Sequence, residues 1–199
     1  MSVRTRRGFS LAEVLIALAI TGTLLTASLS ALDASFKSYK LTTEGASTNV
    51  VTRMVMQRIM AMVRNGSEFG PYPVDVLDAA QNPLQSTSLE FVSFDDGTRR
   101  QVVLLELRAT DDTQRGPNEL WYVLTSFDDG VQTEQEERPL ITGVTNLQFT
   151  LRYDVGPRLM RATVDLTVRP NDFQDASFGS DLAAPPIRLV SSVTPRRLD

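Results

Sequence analysis

The residue types that carry most enzyme chemistry are missing from this chain. It has no cysteine and no histidine, which removes thiolate nucleophiles, disulfides, cysteine-based zinc sites and the commonest general base. Carboxylate, lysine and tyrosine chemistry remains. Aspartates gather in pairs at Asp95/Asp96, Asp111/Asp112 and Asp128/Asp129, and acids in turns hold calcium in many secreted modules. No pair shows the D-x-[DN]-x-[DN]-G spacing of a calcium loop. Two successive aspartates on a turn also point apart, which does not suit a glycosidase acid and base. Asp-Asp-Gly is expected to build hairpin turns, through side-chain hydrogen bonds and a glycine at positive φ. No catalytic residue, metal or cofactor is assigned, and the chain reads as non-enzymatic.

One carboxylate stands apart. Glu13 is the only charge in the 24 residues from Phe9 to Leu32. As a helix that run is about 36 Å long, enough to cross a ~30 Å hydrocarbon core. An acid at bilayer depth costs roughly 2.5 to 3.5 kcal/mol even on lenient insertion scales, so Glu13 calls for a partner or a functional reason. Arg4, Arg6 and Arg7 precede the run with no acid among them. The positive-inside tendency then keeps the N-terminus cytoplasmic and exports the rest. Two plainer readings compete, a cleaved secretory signal and a simple signal anchor. The apolar run is longer than a usual signal core, although Ser28-Leu29-Ser30 is a passable small-x-small cleavage site.

A length of 199 residues, 42% hydrophobic and 22% charged, suits one globular domain with an anchor. The net charge is −4, and without the first eight residues 17 basic residues face 24 acidic ones, a balance of −7. A nucleic-acid partner needs a basic stripe to neutralise phosphates, and this acidic body has none. The expected partners are proteins.

The elements that must carry these residues follow from periodicity. Val51, Met54, Val55, Ile59, Met62 and Val63 form an apolar stripe at helical spacing, and Asn65-Gly66 supplies a stop. One helix from Phe9 to about Asn65 is expected, with Gly22 and Gly45 its soft points. Met54 and Met62 are expected to face the core, while Met56 and Met60 meet either the sheet or a neighbouring subunit. After a loop from Gly70 to Gln85 the period becomes strand-like. Strands are expected at 89–94, 101–108, 119–127, 144–153 and 159–168, with 187–193 a last edge strand. In 159–168 the expected inward set is Met160, Ala162, Val164, Leu166 and Val168. Ser-Phe-Asp-Asp-Gly ends a strand twice, at 93–97 and 126–130. Trp121 and Tyr122 are expected at the core and rim of their strand. A long helix followed by an antiparallel sheet is an α+β fold. The expected divisions are 1–8 as a leader, 9–32 as a transmembrane helix, 33–65 as its amphipathic second half and 66–199 as a β-rich domain.

Gly8-Phe9-Ser10-Leu11-Ala12-Glu13-Val14-Leu15-Ile16-Ala17-Leu18 resembles the type III signal of type IV pilins and type II secretion pseudopilins. The parts coincide: a short basic leader, glycine, phenylalanine, a glutamate five residues into the mature chain, then the span. The resemblance implies that a prepilin peptidase/methyltransferase cuts after Gly8 and N-methylates Phe9. It also gives Glu13 a partner, the Phe9 amine of a neighbouring subunit, so that subunits add in register. Such a pair selects correct stacking more than it adds net stability, and losing one member costs on the order of 3 to 5 kcal/mol. Pro139 to Phe149, paired with Arg161-Ala162-Thr163-Val164, is similar to the J-type minor pseudopilin. The function implied is a minor pseudopilin, a tip or initiating subunit of a type II secretion pseudopilus. It would cross the bacterial inner membrane once, hold its globular domain in the periplasm or exterior, and have other pilin or pseudopilin subunits as partners. A minor type IV pilin for adhesion, motility or DNA uptake is the alternative, and a signal-anchored or secreted β-rich binding or hydrolytic domain is the alternative of another class.

Overall fold

A computed structural model of the chain describes residues 9–110, 116–156, 158–170 and 185–196. Among the described residues a single helix, α1 (Leu11–Asn65), is followed by nine strands: β1 (Ser67–Gly70), β2 (Leu84–Ser86), β3 (Ser88–Asp95), β4 (Arg99–Ala109), β5 (Asn118–Asp128), β6 (Val131–Ile141), β7 (Val144–Asp154), β8 (Arg158–Val168) and β9 (Ile187–Val193). The fold is α+β. The chain divides into two units, residues 1–42 and residues 43–199. In the first, residues 11–42 are helix, and the apolar window of that helix is unburied.

In the second unit, the end of α1 packs against two antiparallel sheets, ordered β1-β3-β4-β5-β6 and β2-β7-β8-β9. β4, the apolar QVVLLELR strand, is central as its composition requires, and β9 is an edge. Leu105 stands opposite both Leu89 and Tyr122, and Leu147, Phe149 and Leu151 oppose Leu166, Val164 and Ala162. These residues meet Val55, Met56, Ile59 and Val63 of the helix in one core.

The helix stripe differs from the expected one. Its buried residues are Thr52, Val55, Met56, Ile59 and Val63, while Met54 is 63% exposed and Val51 45%. At about 100° per residue Met54 lies some 160° from the centre of that face. Met56 is core, and Met60 and Met62 pack against its margin. Thr52 belongs inside because its hydroxyl donates to the Thr48 carbonyl at 2.7 Å, which removes the penalty for burying it.

Gly66 ends the helix by donating its N–H to the Met62 carbonyl at 2.9 Å. A Cβ there would stand 2.6 Å from Phe91 Cδ2 and 3.2 Å from Phe69 Cζ, so the close approach of these rings to the helix end needs glycine. The N–H of Arg196 donates to the Arg64 carbonyl at 2.8 Å, satisfying a further group of the last turn.

β6 was not expected. Its sequence, VQTEQEERPLI, is exposed over most of its length and shows no apolar alternation. It is an edge strand, where Pro139 is tolerated and a second buried face is not required. β1 and β2 are four and three residues long, too short for a periodic signal: β1 lies between the helix stop and the expected loop, where no strand was expected, and β2 overlaps the end of that loop. In β8 the register shifts beside Tyr153, which pairs with Leu159. Leu159 is therefore buried and Met160 is 46% exposed, the reverse of simple alternation.

Candidate functional site around Glu13

The approach to the helix is built by Ser10 and Glu13. Ser10 is the N-cap: its carbonyl accepts from Val14 N–H at 3.2 Å. Its hydroxyl oxygen accepts from Glu13 N–H at 3.2 Å, and the Glu13 carboxylate accepts from Ser10 N–H at 2.9 Å. This is a capping box, a Ser-x-x-Glu sequence that satisfies two orphan donors of the first turn. Glu13 also places negative charge at the positive end of the helix dipole. The helix accordingly begins at Leu11 rather than Phe9. Phe9, just outside the cap, is 87% exposed. Gly8 lies outside the described residues.

Beyond Glu13 the surface is apolar and open. Leu11, Leu15, Leu18, Leu24 and Leu25 are each more than half exposed. The hydroxyls in this stretch turn back on the helix: Thr21 donates to the Ala17 carbonyl at 2.8 Å, Thr23 to Ile20 at 2.8 Å and Thr26 to Gly22 at 2.9 Å. Their polarity is satisfied within the segment, as a lipid environment demands. Ala19, Gly22, Thr23, Thr26, Ala27 and Ser30 line a shallow groove along the helix, and small residues of this kind let another helix approach closely. Among the described residues, α1 is the one helix long and apolar enough to cross a membrane.

The aspartate pairs act in turns. Asp95 accepts from Gly97 N–H at 2.8 Å, and Asp96 accepts from Arg99 N–H at 2.7 Å and Thr98 N–H at 3.1 Å. The bond from Arg99, then that from Thr98, holds the Asp96 carboxyl below its ordinary pKa. Gly97 and Gly130 have φ of 90° and 79°, a region open to glycine. The two Ser-Phe-Asp-Asp-Gly turns lie side by side, with Asp129 N–H donating to the Thr98 carbonyl at 2.9 Å. Among the described residues no three acidic side chains converge to hold a metal ion. Asp111 and Asp112 lie outside them. Trp121 and Tyr122 divide as their strand requires: Tyr122 joins the core and Trp121 is half-buried on the opposite face.

The capping role of Glu13 is the feature that reasoning from charge alone missed, although the Ser-x-x-Glu spacing carries its signal. No partner outside its own turn is needed to seat this carboxylate in a single chain. Assembly would therefore have to redirect it or share it.

Comparison with known proteins agrees with the motif. No curated protein and no solved structure matches the chain. Residues 3–29 match the family model of the prokaryotic N-terminal methylation motif, a span that takes in the basic stub, Gly8, Phe9, the Ser10–Glu13 cap and most of the apolar run. The chain carries a prepilin-type N-terminal motif at the head of a helix long and apolar enough to cross a membrane.

Proposed function

We propose that this protein is a filament subunit of the pseudopilin class, a minor pseudopilin that initiates or tips a type II secretion pseudopilus. The observation that carries the reading is the coincidence of the methylation motif at residues 3–29 with a helix whose apolar window is wholly unburied and bears a lone acid near its head. A helix apolar on every side is stable in lipid or in a bundle, not in water. The stub holds the N-terminus in the cytoplasm, and prepilin peptidase cleaves after Gly8 and methylates Phe9. The cationic amine of Phe9 on one subunit then pairs with Glu13 of its neighbour as the helices pack. The globular domain, outside the inner membrane, selects partners, and no catalytic step is required of it.

The test is the mature N-terminus, read by mass spectrometry from membranes that contain the peptidase. A chain beginning at monomethylated Phe9 is expected, and Gly8→Ala should leave the leader attached. An uncut chain, or one trimmed near Ala31, overturns the reading.

A further inference from the structure

The five-stranded sheet has a second apolar surface on the side away from the main core. Val92 and Val123 are 3% and 4% exposed, yet neither belongs to the core that includes the helix. Cross-strand pairing puts them on one face with Val102, Leu104 and Trp121: Val92 opposes Val102, Leu104 opposes Val123 and Glu106 opposes Trp121. Glu90, Glu106 and Glu137 share that face. Two arginines of β4 stand on it as well: Arg108 is bonded to Glu106 and, at 2.7 Å, to Glu137, with its guanidinium 4.8 Å from the Trp121 ring centre, and Arg100, at the far end beside Val102, is paired with Glu68 and Asp95. The face is an apolar strip with an acidic border.

The helix offers the complement. Residues 45–65 include Arg53, Arg58 and Arg64 and no acid. Opposite the buried stripe lie Val50, Met54 and Ala61, all exposed. At helical spacing Arg53 and Arg64 border this strip on one side and Arg58 on the other. A chain cannot bring the two surfaces together within itself, because its own helix already packs on the inner side of the same sheet, against Leu105 and Tyr122.

We propose that the Val50–Met54–Ala61 strip of one copy docks on the Val102–Leu104–Trp121 face of a second copy. Arginines then meet glutamates around an apolar centre, the arrangement that gives register and specificity at protein contacts. The two surfaces differ, so the contact is head-to-tail and leaves one of each free to recruit the next copy. A short stack of this kind is compatible with an initiating role. The contact rests on these surfaces and not on the filament reading, which concerns the membrane helix.

Because the chain has no cysteine, single cysteines report cleanly. Full-length Met54→Cys chains mixed in detergent with Thr125→Cys chains should form a disulfide-linked heterodimer on mild oxidation. Thr125 stands opposite Val102 on the proposed face. Arg53→Glu with Arg64→Glu on the Met54→Cys chain should cut the yield about tenfold, and Glu90→Arg with Glu137→Arg on the other chain should restore it. Heterodimers no more abundant than random collision gives, or homodimers of either variant in their place, overturn the proposal. A Thr23→Cys chain reports association of the apolar helices separately, so failure of one contact is told apart from failure of the other.

Discussion

Ser10 and Glu13 each satisfy the other's backbone N–H, the serine hydroxyl at 3.2 Å and the glutamate carboxylate at 2.9 Å. The carboxylate that the filament reading assigns to a neighbour's amine is thus already occupied in the single chain. Its two roles differ in what they need. The cap needs an acceptor, and the intersubunit pair needs a charge.

Substitution separates them. Glu13→Gln keeps an acceptor at the third helical position, as Gln does in other capping boxes, and should leave the helix start intact while abolishing filament assembly. Ser10→Ala should weaken the cap by about 0.5 to 2 kcal/mol yet leave the charge in place, so that filaments still form. Filament yield in sheared fractions measures assembly, and amide exchange of the first turn measures the cap. Wild-type yield from Glu13→Gln removes the ionic pairing from the mechanism.

The phase of the buried helical face gives a second test. Met56→Ala removes a core side chain and should destabilise the globular unit by about 2 to 5 kcal/mol. Met54→Ala, on the opposite face, should stay within about 0.5 kcal/mol of wild type. Denaturant melts of the full chain in detergent compare the two. Equal effects would mean that the helix is rotated from the position described.

What the sequence made legible followed from how far each element obeys a single period. β7 and β8 have one core face, and their apolar residues recur at every second position, with the exception of Met160, where the bulge beside Tyr153 inverts the order, whereas β4 and β5 are apolar on both faces and stand out as continuous apolar runs. β6 has no buried face for most of its length, so its glutamates and glutamines carry no strand signal. The helix was evident, but its phase was not: Met54 is apolar and outside, and Thr52 is polar and inside through a bond to the Thr48 carbonyl, two residues that deceive a count of apolar positions. At the candidate site the lone charge on Glu13 was visible in composition. Its local partner was written in a Ser-x-x-Glu spacing that periodicity does not detect.

Asp165 and Arg188 fasten the edge strand β9 to β8 with two hydrogen bonds, 3.0 and 2.6 Å long. The bond from Arg188 holds the Asp165 carboxyl below its ordinary pKa. A carboxyl lowered in the folded state contributes stability above the unfolded carboxylate range, near pH 4, and loses that contribution as the pH falls through its folded-state value. Asp165→Asn should therefore be less stable than wild type near neutrality, by at most about 1 kcal/mol because the arginine is well exposed, and the gap should close in acid. Thermal melts between pH 7 and pH 2 check the convergence. A gap that widens in acid would show that the pair does not carry the effect.

Asn82 and Tyr153 hold both ends of the loop 71–83. The Asn82 amide donates to the Val76 and Tyr153 carbonyls, each at 2.9 Å, and its oxygen accepts from Tyr153 N–H at 3.0 Å. The Tyr153 hydroxyl donates to the Pro71 carbonyl at 2.9 Å. Burial, with a smaller contribution from Tyr72, pushes the Tyr153 phenol well above its ordinary pKa, so that it remains a donor through the alkaline range. Between these anchors Val74 and Leu77 are 98% and 82% exposed, while Pro73 is buried and Val76 packs at the core margin, so the clamp and these two contacts together order the loop. Asn82→Ala leaves the Tyr153 N–H and two carbonyls without that partner, at a cost of about 1 to 3 kcal/mol. Segments held by few contacts open locally before the whole unit does, so the expected result is faster proteolysis within 72–81 and a smaller change in global melting. Cleavage at the wild-type rate in Asn82→Ala would show that the loop is held by something other than this pair.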